Sequence, residues 1–129
     1  MSETGISHYI DLNGSHPSEE QVAIYAVLIR SLRDIAYEHI VFEFEDPDVP
    51  ENLRRGLAFF QVCVAHDQTM HVEIRIDTTN GPTQYSKTCS INESIQLMRE
   101  TIATREAPAL DGWKDITSSV YSKRKPDGI

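Results

Sequence analysis

The feature that most constrains this 129-residue chain is a series of apolar alternations through its middle. Met70–Asp77 sets Met70, Val72, Ile74 and Ile76 against His71, Glu73, Arg75 and Asp77. That is the period of two that a half-buried strand requires. Asn80-Gly81 follows, the dipeptide best suited to the positive φ angles of a two-residue hairpin, and Thr83–Cys89 then reads as a more polar edge strand. Upstream, Leu57–His66 is apolar on both sides, with Leu57, Phe59, Cys63 and Ala65 on one and Ala58, Phe60, Val62 and Val64 on the other. A strand of that kind is central and covered on both faces. His39–Glu45 alternates again, with Ile40, Phe42 and Phe44 set against Val41, Glu43 and Glu45.

Two capping boxes bracket these strands. Ser18 with Gln21, and Ser90 with Glu93, each place a hydroxyl before a helix and a polar side chain three residues on. The first predicts a helix from Ser18 to about Glu38, with Val22, Tyr25, Ala26, Leu28, Ile29, Leu32, Ile35 and Ala36 at helical spacing. The second predicts a helix to about Arg105, with Ile91, Ile95, Met98 and Ile102 on one face. His8–Leu12 is a candidate short strand ahead of the first helix. Pro50 near the start of Glu51–Arg55, with Gly56 after it, suits a single helical turn. Trp113, Ile116, Val120 and Tyr121 fit one face of a short helix, while Asp115–Ser122 also fits a strand. The expected fold is α+β: a four-stranded, mainly antiparallel meander flanked by an N-terminal and a C-terminal helix, both packed on one face. Residues 1–129 are expected to form one domain, with a core over about 18–106 and a tail at 107–129 packing on that core or on a partner.

The formal net charge is −8, from 12 Lys+Arg and 20 Asp+Glu, which argues against a nucleic-acid binder. The acidity is segregated. Residues 1–53 hold eleven acids and two bases, a sum of −9, and the remainder carries +1. Its densest stretch is Glu43–Glu51, where Glu43, Glu45, Asp46, Asp48 and Glu51 put five carboxylates in nine residues. The plain reading is a solvated surface; the sharper one is a docking surface, because a concentrated field steers an oppositely charged partner. Should strands His39–Glu45 and Met70–Asp77 be neighbours, Glu43, Glu45, Glu73 and Asp77 would share one exposed face.

Other chemistries find little support. His66, His71 and Glu73 lie close together, but a zinc site needs three or four converging donors, and Arg75 on the same strand face opposes a cation, so no metal is expected. Cys89 sits where a helix dipole lowers a thiol pKa, but Glu93 opposes that, and a structural thiol is the simpler reading; Cys63 reads as a small core residue. Asn13-Gly14-Ser15 precedes a helix without a phosphate-loop motif, and Glu19 and Glu20 already occupy the positive end. No G-x-S-x-G elbow marks a nucleophile. Lys123-Arg124-Lys125 is too short for a nucleic-acid patch. Two cysteines outside any C-x-x-C, no basic-then-apolar N-terminal leader, no lipidation signal and no apolar run beyond Val22–Ile29 point to a cytoplasmic protein with free thiols and no membrane span.

The expectation is therefore a non-enzymatic, cofactor-free module that binds a basic protein partner, a toxin or effector, in the manner of an immunity protein, inhibitor or secretion chaperone. Glu43, Glu45, Asp46, Asp48 and Glu51 are the expected partner-binding residues. The alternative is a small enzyme or ligand binder with a pocket between sheet and helices, drawing on His66, His71, Glu73 and Cys89. A homodimer is the third possibility, resting on the apolar surplus of Leu57 and Phe59.

Overall fold

The computed structural model describes residues 7–32, 39–65 and 69–121. The elements are β1 (Ser7–Asp11), α1 (Glu19–Arg30), β2 (His39–Glu43), β3 (Gly56–Val64), β4 (Thr69–Thr78), β5 (Gly81–Ser90), α2 (Ile91–Thr104), β6 (Lys114–Asp115) and α3 (Thr117–Tyr121), with a 3-10 turn at Glu51–Leu53. The class is α+β, as the sequence leads one to expect. The sheet is larger than expected: it has six strands in sequence order and is mixed, not four antiparallel strands. The β2–β3–β4–β5 meander is antiparallel throughout. The additions are at its edges. β1 pairs in parallel with β2, from Ser7 opposite His39 to Asp11 opposite Glu43, so β1, α1 and β2 form a βαβ crossover. β6 adds two residues against Tyr85 and Ser86 of β5.

Both capping boxes form at the N-cap. Ser18 Oγ accepts the Gln21 N–H at 3.1 Å, and Ser90 Oγ accepts the Glu93 N–H at 3.1 Å. α1 ends at Arg30 with Ser31 as its C-cap, short of the expected Glu38. Residues 33–38 lie outside the described residues, as do His66 and the basic triplet at 123–125. Of the two alternatives for the tail, the helix forms at Thr117–Tyr121, where the Thr117 N–H donates to Asp115 Oδ1 at 2.9 Å; the expected strand over Asp115–Ser122 does not, and strand pairing is confined to Lys114–Asp115.

The core lies between the sheet and the pair α1 and α2. Ile40, Phe42, Phe60, Val62, Met70, Val72 and Ile74 meet Tyr25, Ile29, Ile95, Met98 and Ile102. Phe42 is at its centre, fully buried, with its ring edge-on to Tyr25 at 5.4 Å and to Phe60 at 6.1 Å. Aromatic pairs in this geometry gain beyond their buried area, because the positive ring edge meets the negative ring face. Trp113 packs against the same core from the tail.

The two expected helices, α1 and α2, pack on one face of the sheet. The short α3 packs beside the opposite face, where Tyr121 OH donates to Gln84 Oε1 at 2.8 Å and its ring lies 5.8 Å from the Arg75 guanidinium. One expectation about faces needs correction: Leu57 changes sides. Leu57 pairs with Ile76 and Phe59 with Arg75, so Ala58 is an extra residue in β3. This β-bulge turns Leu57 into the core beside Phe60 and Val62 and leaves Phe59 on the outer face. The apolar surplus that suggested a dimer over Leu57 and Phe59 is thereby halved.

Candidate functional site

The acidic segment is a loop organised by an arginine. Phe44 donates its N–H to Ala58 O at 2.9 Å, which carries the β2–β3 ladder past Glu43 before the chain turns away. Asp46 Oδ1 then accepts the Asp48 N–H at 2.9 Å, the local bond that makes Asp a turn former, and the Val49 N–H reaches Asp46 O at 3.1 Å. Arg54 folds back across the loop. Its Nε donates to Val49 O at 2.9 Å, and its Nη atoms reach Pro47 O and Glu45 Oε1, each at 3.5 Å.

The five expected partner-binding residues therefore differ in state. Asp48 and Glu51 are exposed, and Glu51 reaches Arg75 at 3.7 Å, a loose surface pair of little energetic consequence. Asp46 supports the turn, and Glu45 pairs with Arg54. Glu43 is half-buried, and its carboxyl is pushed above the ordinary carboxylate value, first by desolvation, then by the charges of Glu45 and Asp11. Asp11 is a member that sequence reasoning missed, because only the parallel β1–β2 register brings it opposite Glu43. Arg54 and Arg75 were also missed as local counter-charges. The signal for Arg54 was its place immediately after the acidic run.

The strand-face expectation holds for Glu43, Glu73 and Asp77 only in part. β3 separates β2 from β4, and the register places all three residues on the outer face. They are not exposed there: Asp77 is 7% accessible, and Glu43 and Glu73 are half-buried. A hydrogen-bonded chain occupies the centre of this face. His71 Nε2 lies 2.9 Å from Glu73 Oε2, Gln84 Nε2 donates to Glu73 Oε1 at 2.7 Å, and Gln84 Oε1 accepts from Tyr121. Beside it, Arg75 Nε donates to Asp77 Oδ1 at 3.0 Å. Burial works against the Arg75 charge, but the Asp77 bond and the nearby Tyr121 and Glu45 outweigh it and keep the pKa above its ordinary value. These bonds give each carboxylate oxygen of Glu73 a partner, so the face reads as a hydrogen-bonded polar layer.

Of the residues of the alternative, enzymatic reading, His66 lies outside the described residues, and His71, Glu73 and Cys89 do not converge. Cys89 pairs with Met70 on the helix side of the sheet, whereas His71 and Glu73 are on the other side. Burial, followed by the charge of Glu93, pushes the Cys89 thiol up to about 11, against the lowering that a helix start would give. Cys63 sits opposite His71 on the outer face rather than in the core. Among the described residues, no group of three His, Cys, Asp or Glu side chains is placed to hold a metal ion. A cleft of about 260 Å³ opens between the Glu51–Arg54 turn and the β4–β5 hairpin, lined by Glu51, Arg54, Arg75, Asp77 and Asn80. It is smaller than the ~300–1,000 Å³ of pockets that enclose drug-sized ligands. No helix among the described residues is long and apolar enough to cross a membrane. No family model, curated protein or solved structure matches this chain.

Proposed function

We propose that the chain is a non-enzymatic binding module that covers a basic surface of a partner protein, such as a toxin or effector, with the acidic edge formed by Glu43, Glu45, Asp46, Asp48 and Glu51, to which Asp11 is added. The observation that carries this reading is the gathering of carboxylates at this edge: the β1–β2 register sets Asp11 opposite Glu43, Glu45 and Asp46 follow, and Asp48 and Glu51 are exposed, while among the described residues the neighbouring arginines reach only Glu45, at 3.5 Å, and Glu51, at 3.7 Å. The raised Glu43 carboxyl, due first to burial and then to Glu45 and Asp11, agrees with like charges held close together. A cationic side chain from a partner would relieve that repulsion, and the surrounding field would steer the encounter. Apolar contacts at the loop would add affinity; Leu53, 60% accessible in the 3-10 turn, is the nearest large one.

The test is a pull-down from source lysate on the immobilised protein, at low and at high salt. The reading expects a basic protein retained at low salt, released at high salt and not retained by a Glu43→Gln, Glu45→Gln, Asp48→Asn variant. Absence of any salt-sensitive protein partner would sink it.

A further inference from the structure

α1 has a second apolar side. Val22, Tyr25, Ala26 and Ile29 are buried against the sheet. Ala23, Ile24 and Val27 point away from it, with Ile24 50% and Val27 59% accessible. A helix of a soluble protein ordinarily presents polar residues on that side. A shallow groove of about 430 Å³ runs along it, lined by Ser18, Glu20, Gln21, Ala23, Ile24 and Val27. Glu20 lies at one end of this side and Arg30 at the other, both exposed, and neither forms an ion pair among the described residues.

We propose that the chain pairs with a second copy of itself through this side of α1, the two helices running antiparallel about a twofold axis near residue 25. The reason is self-complementarity. An axis at that level brings position 20 to position 30 and position 23 to position 27 in the same arrangement. Glu20 of each copy then meets Arg30 of the other, and the small Ala23 receives Val27, a knob in a notch, while the two Ile24 side chains meet near the axis. A parallel pairing would set Glu20 against Glu20 and Arg30 against Arg30. The acidic cluster is not part of this contact: Phe42 faces α1, so Glu43 in the next position faces the other side of the sheet. The dimer and the acidic docking surface can therefore fail independently.

α1 has 12 residues and spans about 18 Å, so the contact is below the ~800 Å² per partner of a tight dimer, and the association is weak. Sedimentation equilibrium between ~10 μM and ~1 mM tests it. The expected mass rises with concentration from 14.6 kDa toward twice that value. Ile24→Lys or Val27→Lys holds the protein at the monomer mass. Glu20→Arg alone and Arg30→Glu alone each weaken pairing about 3- to 10-fold, and the double exchange restores it to within about twofold of the parent. A parent protein that stays monomeric at ~1 mM overturns the proposal and leaves this side of α1 to a different partner. A double exchange no better than the single changes overturns the antiparallel arrangement. Glu20 and Arg30 are both exposed, so this arm stands even if a lysine substitution disturbs the helix.

Discussion

Arg105 offers a sharp test of how this fold balances polar burial. It follows α2 as the C-cap, in the left-handed region at φ 60°. Its Nη1 donates to Leu12 O at 2.6 Å, across 93 residues of sequence, and its guanidinium lies 5.4 Å from the Phe44 ring centre. Among the described residues, its Nε and Nη2 are buried without a hydrogen-bond partner. The contributions can be weighed for Arg105→Met, which keeps the aliphatic stem over Phe44. The change removes one charged hydrogen bond, about 1.5–3 kcal/mol, and a cation–π contact of about 0.5–2 kcal/mol. It also removes two buried, unpaired donors, each of which costs about 1–3 kcal/mol while present. Leu12 O is not orphaned, because the Ser15 N–H also reaches it, at 3.2 Å. Gains and losses nearly cancel, so urea denaturation should place Arg105→Met within about 1 kcal/mol of the parent. Arg105→Gly loses the stem packing but relieves the left-handed strain, about 1–2 kcal/mol. It should therefore fall close to Arg105→Ala or above it, even though glycine is the more flexible residue. A loss of more than about 3 kcal/mol in Arg105→Met would refute the reasoning, because the two buried donors would then have to be partnered.

Three further expectations concern the registers and titrations. The bulge at Ala58 predicts that Leu57→Glu, which puts a carboxylate into the core, costs at least about 3 kcal/mol more than Phe59→Glu on the outer face; equal costs in urea denaturation would place both residues on the same side. Because the Glu43 carboxyl is raised in the fold, its contribution is fully present below the ordinary carboxylate pKa and is lost as pH rises through the folded value. Glu43→Gln should accordingly stabilise the protein at pH 7, by less than about 1 kcal/mol after solvent screening, with the difference vanishing near pH 3. A variant less stable than the parent at pH 7 would contradict this. Cys89, with its thiol at about 11, should resist iodoacetamide at pH 8 in the native protein and react on unfolding; peptide mapping that shows prompt native labelling would contradict its burial.

What the sequence made legible, and what it did not, follows from the range of the forces involved. The capping boxes at Ser18 and Ser90 are local and stand where their residues indicate; the hairpin is local too, but it closes one residue earlier than Asn80-Gly81 indicates, on Thr79-Asn80, with Gly81 paired to Thr78 at φ 111°. The alternation of Met70–Asp77 survived as β4 because one side is apolar and the other charged, so a slip of one residue would be costly. β3 lacked that contrast. Both of its sides are apolar, so nothing in its pattern marked the extra residue at Ala58. The parallel β1–β2 pairing depends on a crossover through α1, and β6 is only two residues long; neither leaves a periodic trace. The same holds for the candidate site. The acidic run was plain in the sequence, but Asp11 joins it through long-range pairing, and Arg54 and Arg75 neutralise part of it through a turn and a neighbouring strand. The division of His71 and Glu73 from Cys89 is a matter of strand parity across the β4–β5 hairpin, visible only once the register is known.

The central claim is that the Glu43 cluster is held in repulsion until a basic partner reaches it. Its most direct test is a carboxyl-carbon NMR titration of Glu43, first in the free protein and then in complex with the protein captured at low salt. The account predicts a value above the ordinary glutamate range in the free protein and a marked fall on binding, as a partner cation replaces part of the repulsion from Glu45 and Asp11. A Glu43 that titrates at its ordinary value when free, or whose titration is unmoved by the bound partner, would contradict it.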